Sequence, residues 1–290
     1  MTHPGSHPVK GIDHCFALVD DLNHAAAQYK ALGFTLSPRG THSAAKGTAN
    51  YTIMFPDDYF ELLGVVTPTA LNASRREMLA TMGQGLHAIA CRIDDAEAAA
   101  KALGKLGITT QGLGSFSRPV PLPDGSEGLA AFSTVSFTSD EAPFGTVFMC
   151  QHKTRETVWF PELLEHANTA CGLDAILAIS NTPEEDAPRF ARLWAEGAVQ
   201  AEDGLTTITT GPNSAPLILA TAARMSALYP GIDISGTTKG AFTALRIKVR
   251  SLETLRDCLK DANVKICDTA SGLAVGPEFS AGVILEFVAA

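Results

Sequence analysis

The chain has no block of consecutive basic residues, no apolar run long enough to cross a bilayer, and no CxxC spacing. Each absence removes a class of function. With 22 Lys and Arg against 31 Asp and Glu the net charge is −9, which disfavours a phosphate-backbone partner and points away from nucleic acid. The opening MTHPGSHPVK lacks the apolar centre and cleavage pattern of a secretory leader. These features predict a soluble, cytoplasmic protein with neither membrane nor nucleic acid as partner. The six cysteines, at 15, 91, 150, 171, 258 and 267, are scattered through apolar contexts and read as reduced core residues outside zinc or redox chemistry. His3 and His7 in the opening segment read as solvated.

What is present is a globular composition, 46% hydrophobic with 25 Gly and 16 Pro spread along the chain. A chain of 290 residues can bury a substantial core, in one large domain or two of ordinary size. Alternating apolar runs, capping residues and glycine stops give one order of elements four times. Residues 11–20 predict a strand, Asp21 caps a helix to about Leu32 that Gly33 ends, and strand-like runs follow at Phe34–Ser37, Thr48–Phe55 and Tyr59–Val66. A linking helix at Ser74–Met82 leads to strand 86–93, a helix capped by Asp95 and stopped by Gly107, and runs near Ile108–Gln111, Leu129–Thr138 and Thr146–His152. Segment 112–128, GLGSFSRPVPLPDGSEG, is rich in breakers and reads as a long loop, either a mobile lid or an excursion at an open end.

Beyond a connector near residue 165 the plan repeats. Strand Leu173–Ser180, a helix over 183–196 capped by Thr182, runs near Ala198–Ala201, Leu205–Thr210 and Leu217–Thr221, and a linking helix Ala222–Leu228 make a third unit. Strand Ala241–Val249, a helix begun by Ser251 and runs ending at Gly282–Val288 make a fourth. The fold class is α+β: four βαβββ modules in two pairs, one pair over 1–165 and the other over 166–290.

The chemistry starts from His87, which stands in a short apolar strand pattern, GLHAIACRID. A near copy, GIDHCFALVD, carries His14 in what reads as the matching place. Between them Tyr59-Phe60-Glu61-Leu62-Leu63 puts a carboxylate into a third apolar strand, where burial without a partner is expensive. Two imidazoles and a carboxylate meeting on one side of a sheet suit a divalent cation. The bland alternative makes each a hydrogen-bonded core residue. The positions of His14 and His87 in the later units are Ala175 and Thr243, so packing alone does not demand histidine. That places the site in the first half and leaves the second half as scaffold, with Glu286 lacking ligand partners.

GIDHCFALVDDL, GTANYTIMFPDDYFELLG and GTVFMCQHKTRETVW, in this order and with a paired-module plan over nearly the whole chain, resemble the vicinal oxygen chelate superfamily, in particular its glyoxalase-like branch. The resemblance implies that each pair of modules forms a cupped, incomplete barrel, with a metal held in the cup by the first and last strands of each module. By position it implies His14, Glu61 and His87 as ligands, with Met149 at the fourth place. A thioether is a poor ligand for hard divalent ions, so Met149 is expected to wall the site. Gln151 shares its strand face, and His152 would reach the cup through a bulge or past the strand end. His42 and Asn50, in RGTHSAAKGTAN, are expected to bond substrate at the rim, and Arg118 to meet a carboxylate or phosphate bidentately. His24 and His166 read as surface or packing residues.

The implied activity is that of a metal-dependent enzyme on a small organic substrate. One divalent ion, among Zn, Mn, Fe, Ni and Co, would hold two neighbouring oxygens and stabilise an enolate, giving glyoxalase-like lyase or isomerase chemistry with Glu61 as catalytic group. Met149 stands where strict glyoxalase chemistry places its second carboxylate. Two alternatives stay open: an extradiol-type Fe(II) ring-cleaving dioxygenase, although there the glutamate follows both histidines, and a non-catalytic binding protein of the resistance type. Exposed outer strands leave a homodimer open.

Overall fold

A computed structural model describes residues 7–122 and 125–290, and His3 lies outside the described residues. The first module is β1 (Ile12–Val19), α1 (Leu22–Ala31), β2 (Gly40–Thr41), β3 (Thr48–Met54) and β4 (Tyr59–Val65). A linking helix, α2 (Ala73–Met82), leads to β5 (Gly85–Arg92), α3 (Ala96–Lys105), β6 (Thr110–Pro121), β7 (Glu127–Phe137) and β8 (Thr146–His152). The third module is β9 (Ala170–Ile179), α4 (Pro183–Ala191), β10 (Val199–Glu202), β11 (Leu205–Ile208) and β12 (Leu217–Ala220). After α5 (Ala222–Leu228), the fourth is β13 (Ala244–Val249), α6 (Leu252–Asp261), β14 (Ile266–Asp268), β15 (Gly272–Val275) and β16 (Ile284–Ala289). The four βαβββ modules read from the sequence are present.

The helices start where their caps predict. Asp21 accepts from the amides of Asn23 and His24, Asp95 from Ala98, and Ser251 from Thr254. Thr182 makes no such bond, and α4 stops at Ala191, short of the expected 196. The strand expected at 34–37 is displaced to β2, because Pro38 has no amide to continue a ladder.

Each pair of modules builds one eight-stranded mixed sheet, in the order β2-β3-β4-β1-β5-β8-β7-β6 and β10-β11-β12-β9-β13-β16-β15-β14. The modules join through the antiparallel central pairs β1–β5 and β9–β13. Alternation sorts the first sheet into two faces. Cys15, Ala17, Phe60, Leu62, Ile89 and Met149 pack against Tyr29, Ala99 and Leu103 of the helices. Fully burying a side chain such as Phe60 contributes roughly 1.5–3 kcal/mol. His14, Phe16, Tyr59, Glu61, Ala88, Ala90, Phe148 and Cys150 alternate with these and line the concave face.

Residues 112–121, expected in a loop, belong to β6, and 127–128 to β7. β6 and β7 pair from Thr110–Phe137 to Pro121–Glu127 as one long hairpin. Phe116, Arg118 and Val120 keep a period of two, and Pro119 and Pro121 are tolerated because β6 is the sheet edge. The hairpin brings the far edge back towards β2: Phe116 meets the His42 ring edge-on at 6.2 Å, and Lys46 Nζ lies 3.3 Å from the Phe116 centroid. The sheet therefore nearly closes into a barrel.

The changeover between sheets falls between residues 152 and 170, but the largest buried cluster takes residues from both. Phe34 stacks on Phe287 at 6.1 Å, Tyr29 Oη donates to Ser280 O, and the Leu173 amide donates to Asp58 Oδ1 at 3.1 Å. A Cβ on Gly85 would lie 2.8 Å from Gly282 O, so glycine permits that close approach. In the second sheet, Met225 and Tyr229 of α5 pack into the concave face against Ala175, Leu177, Ala244 and Ile284. Its cup is filled.

Candidate functional site

Two bulges in the β1–β5 ladder decide which side chains meet. Ile12 faces Cys91 and His14 faces Ala90, leaving Asp13 as an extra residue; Phe16 faces Ala88 and Ala17 faces Leu86, leaving His87 as another. A bulge takes its extra residue off the alternation. At Asp13 it brings the carboxylate to its neighbour's side: His14 Nδ1 donates to Asp13 Oδ1 at 2.7 Å, and His152 Nε2 donates to the same oxygen at 2.9 Å. Arg92 Nε lies 3.7 Å from Oδ2. Burial alone would raise the Asp13 carboxyl, but the two histidine hydrogen bonds prevail and hold it well below the usual carboxylate range.

His14 is fixed on three sides. Its ring stacks on Tyr59 at 4.2 Å and meets the edge of Phe148 at 5.7 Å. With Nδ1–H given to Asp13, Nε2 points towards Glu61 and lies 3.9 Å from Oε2. Asn50 Nδ2 donates to Glu61 Oε1 at 2.7 Å, which fixes that carboxylate and leaves Oε2 on the His14 side. One oxygen atom placed between them can reach both groups at hydrogen-bond distance. Cys150 completes the wall as a neutral thiol, pushed up first by burial and then by Asp13 and Glu61. His152 sits edge-on to Phe132 and Trp159, each at 5.0 Å.

The structure brings His14 together with Glu61, and joins His152 to His14 through Asp13. It does not bring His87 there. His87 Nε2 donates to Gly83 O at 2.8 Å and lies 3.3 Å from Thr238 Oγ1, while its Nδ1 is buried without a partner. Counting from the glycines explains why: His14 is three residues after Gly11, whereas three after Gly85 is Ala88. The equivalent of Glu61, which pairs with Phe16, is Phe148, which pairs with Ala90. The second module thus presents Ala88 and Phe148, neither a ligand, where the first presents His14 and Glu61.

Met149 and Gln151 face away from the cup. Met149 is fully buried under the helices, and Gln151 Oε1 accepts from the Ala96 amide at the start of α3. His152 needs no bulge, since it shares its face with Phe148 and Cys150 at the last position of β8. Asn50 binds Glu61, and His42 Nδ1 pairs with Thr48 Oγ1 at 2.8 Å with its pKa pushed down to about 4, first by burial. Arg118 lies in β6 against Gly40. His166 is buried between Thr35 N and Met54 O, His24 is exposed, and His7, expected in solvent, is half-buried and donates to Arg192 O. Cys171, Cys258 and Cys267 are only partly buried, unlike the other three cysteines.

Among the described residues, one group could hold a metal: Asp13, His14, Cys150 and His152 bring ligand atoms within 4.8 Å of one another. His14, Glu61 and His87 form no such group. The donors fit an ion such as zinc in kind, two imidazoles with a carboxylate and a thiol, all buried or half-buried. The 2.7 and 2.9 Å separations are hydrogen-bond lengths, so an ion entering here replaces protons now shared with Asp13. Asp13 and Cys150 are the residues that sequence reasoning missed. The count from Gly85 was a readable signal against His87, but nothing in the alternation announces a bulge at Asp13.

A groove of about 580 Å³ opens elsewhere, between the end of β9 and residues 234–241. Its Ser180 hydroxyl donates to Asp186 beside the start of α4, and it shares no residue with the first cup, though Thr238 beside His87 lines it.

A family model described as a glyoxalase-like domain matches residues 12–196, past the first sheet and through α4. No curated protein sequence matches the chain. Among solved structures it is similar to a hypothetical protein from Staphylococcus aureus, with a TM-score of 0.67 and 14% identity over 96% of this chain and 99% of that one. It is also similar to a variant of 4-hydroxymandelate synthase from Streptomyces coelicolor, at 0.54 and 13% over 97% and 92%. A variant of homoprotocatechuate 2,3-dioxygenase from B. fuscum gives 0.56 and 12% over 97% and 72%. At such identities these likenesses speak to the fold alone.

Proposed function

We propose that this chain, which belongs to the glyoxalase-like domain family, is a glyoxalase-like isomerase or lyase that works on a small organic substrate in the cup of its first sheet. The carrying observation is the facing pair His14 Nε2 and Glu61 Oε2, 3.9 Å apart, each oriented from behind by Asp13 or Asn50. Glu61 takes the proton from carbon beside a carbonyl, and His14 carries a proton at the neighbouring oxygen. The proton returns to the adjacent carbon, so the reaction balances without an oxidant. Phe148, Tyr59 and Trp159 exclude water from the developing enolate.

Asp13, His14, Cys150 and His152 are the residues that would hold one divalent ion. Bound there, it would supply Lewis-acid stabilisation of charge on a substrate oxygen. This ligand set replaces the His14, Glu61 and His87 set expected from the sequence. A second reading has its own observation: Asp13, His14 and His152 are two histidines and a carboxylate, a set that suits Fe(II) and ring cleavage of a catechol with oxygen. The fold likeness to homoprotocatechuate 2,3-dioxygenase supports that reading at the level of architecture.

The experiment is elemental analysis of the protein purified without added metal or chelator, paired with hydrogen–deuterium exchange into a panel of 2-oxo and 2-hydroxycarbonyl compounds. The expected result is about one equivalent of metal in wild type and in His87→Ala, lost in His152→Ala, with exchange abolished in Glu61→Gln and His14→Ala. Exchange at the wild-type rate in Glu61→Gln would sink the proton-transfer assignment. Iron, with oxygen uptake on catechols and no exchange, would select the second reading.

A further inference from the structure

Three cations on three elements act on Glu61 in the first cup: Lys46 in the turn after β2, Arg75 on α2 and Arg118 on β6. All three are half-buried. Among the described residues none of them has a carboxylate within ion-pair distance, although ten other pairs of a Lys or Arg with a carboxylate are found there. Their common neighbour is Glu61, whose charge acts on Lys46, Arg75, Arg118 and His42 alike. Three cations around one carboxylate leave an excess of positive charge, on a chain whose net charge is −9. A merely solvated basic face would extend its charges into water; these are drawn out of water, which lowers the pKa of each.

Local structure holds Arg118 and Lys46 in place. A Cβ on Gly40 would lie 2.9 Å from Arg118 Cζ and 2.1 Å from Asn50 Oδ1, so the guanidinium rests where only glycine leaves room. Lys46 is held over the Phe116 ring. From there Phe116 stacks on Phe132 at 5.2 Å, and Phe132 meets His152 at 5.0 Å, so an aromatic wall runs from the cations to the Asp13 group.

We propose that the mouth of this cup binds the anionic head, a carboxylate or a phosphate, of a flat organic substrate, with Arg118 and Arg75 as hydrogen-bonding forks and Lys46 as the third charge. The inference rests on reading the first cup as the substrate site. The planar guanidinium matches the two oxygens of either head, and the flat body lies along Phe116 and Phe132 with its far end towards His14 and Glu61. The neutral imidazole of His42 adds no charge at pH 7.

Isothermal titration of the full chain with benzoate, phenyl phosphate and the neutral benzamide tests this. At least one anion binds at a single site, the tighter of the two identifies the head, and benzamide does not bind. Arg118→Gln and Arg75→Gln each weaken the anion at least about tenfold, the loss expected for a charged hydrogen bond, with unchanged circular dichroism. Glu61→Gln, which removes the opposing charge, tightens it. Equal binding of benzamide, unchanged affinity in the double arginine variant, or no binding by either anion overturns the proposal. Binding is read without turnover, so its failure is separate from that of the proton-transfer reading: anions bound without deuterium exchange sink the latter alone, and exchange without anion binding sinks the former alone.

Discussion

Asp13 and His14 are consecutive residues of one strand, yet their side chains bond to each other, Oδ1 to Nδ1 at 2.7 Å. The bulge between Ile12 and His14 makes this geometry available, and it lets a carboxylate 1% exposed serve two imidazoles. Replacing Asp13 with Leu strands two N–H donors, at about 1–3 kcal/mol for each. The variant is expected to melt well below wild type and to lose metal. A thermal scan at pH 7 with unchanged midpoint would show that Asp13 does not hold the pair.

His87 is expected to matter for stability alone. His87→Ala removes the bond to Gly83 O and leaves a gap beside Thr238, a cost of about 1–3 kcal/mol in urea unfolding. Metal content and anion affinity stay at wild-type values. Loss of metal in this variant would restore His87 to the site.

Asp58 gives the chain a pH signature. Burial first, against weaker help from the Leu173 amide, pushes its carboxyl up to about 7 from 3.8. Between those values the folded chain keeps a proton that the unfolded chain has released, so this group's contribution is full at low pH and is lost as pH rises through about 7. Asp58→Asn, whose amide oxygen still accepts from Leu173, should match wild type near pH 4 and exceed it at pH 8 by roughly 4 kcal/mol at most. A difference independent of pH between the two melting curves would contradict the assignment.

Gly40→Val puts carbon where the Arg118 guanidinium and Asn50 Oδ1 lie. The expected outcome is weakened benzoate or phenyl phosphate binding together with a lowered melting temperature, because Gly40 and Asn50 are buried. Wild-type anion affinity in this variant would mean that Arg118 does not need its seat.

Arg246→Met tests the second sheet. Glu286, 2% exposed, accepts from Arg246 Nε at 2.7 Å, Tyr229 Oη at 3.0 Å and Thr269 Oγ1 at 2.8 Å. Removing the cation leaves a buried charge uncompensated, at about 3–5 kcal/mol. Guanidinium unfolding that shows no loss would mean that Tyr229 and Thr269 suffice to hold Glu286 without the cation.

The module plan was legible because the first helix of each early module carries its own cap and stop, Asp21 with Gly33 and Asp95 with Gly107. His14 and Glu61 were legible as polar residues on apolar strips. Segment 112–128 was not, since its glycines and prolines match a loop in composition while edge position makes them compatible with a strand. The metal-ligand group was legible only in part: His152 lay on the right strand, but alternation alone hides Asp13. His87 shows the converse, a histidine one residue out of register that changes partners altogether.

The same bulge recurs in the second sheet, where Arg246 faces Ala175 and Ile247 faces Leu173, leaving Asp174 as the extra residue. There its carboxylate meets Arg246 and Lys248 instead of histidines, and Met225 and Tyr229 plug the cup. The molecule thus carries its own control: one copy of the architecture gathers histidines and carboxylates in its cup, and the other fills the same place with apolar side chains. The backbone plan is common to both, so the chemistry of the first cup is a matter of side chains alone, and the second copy serves it as a keel.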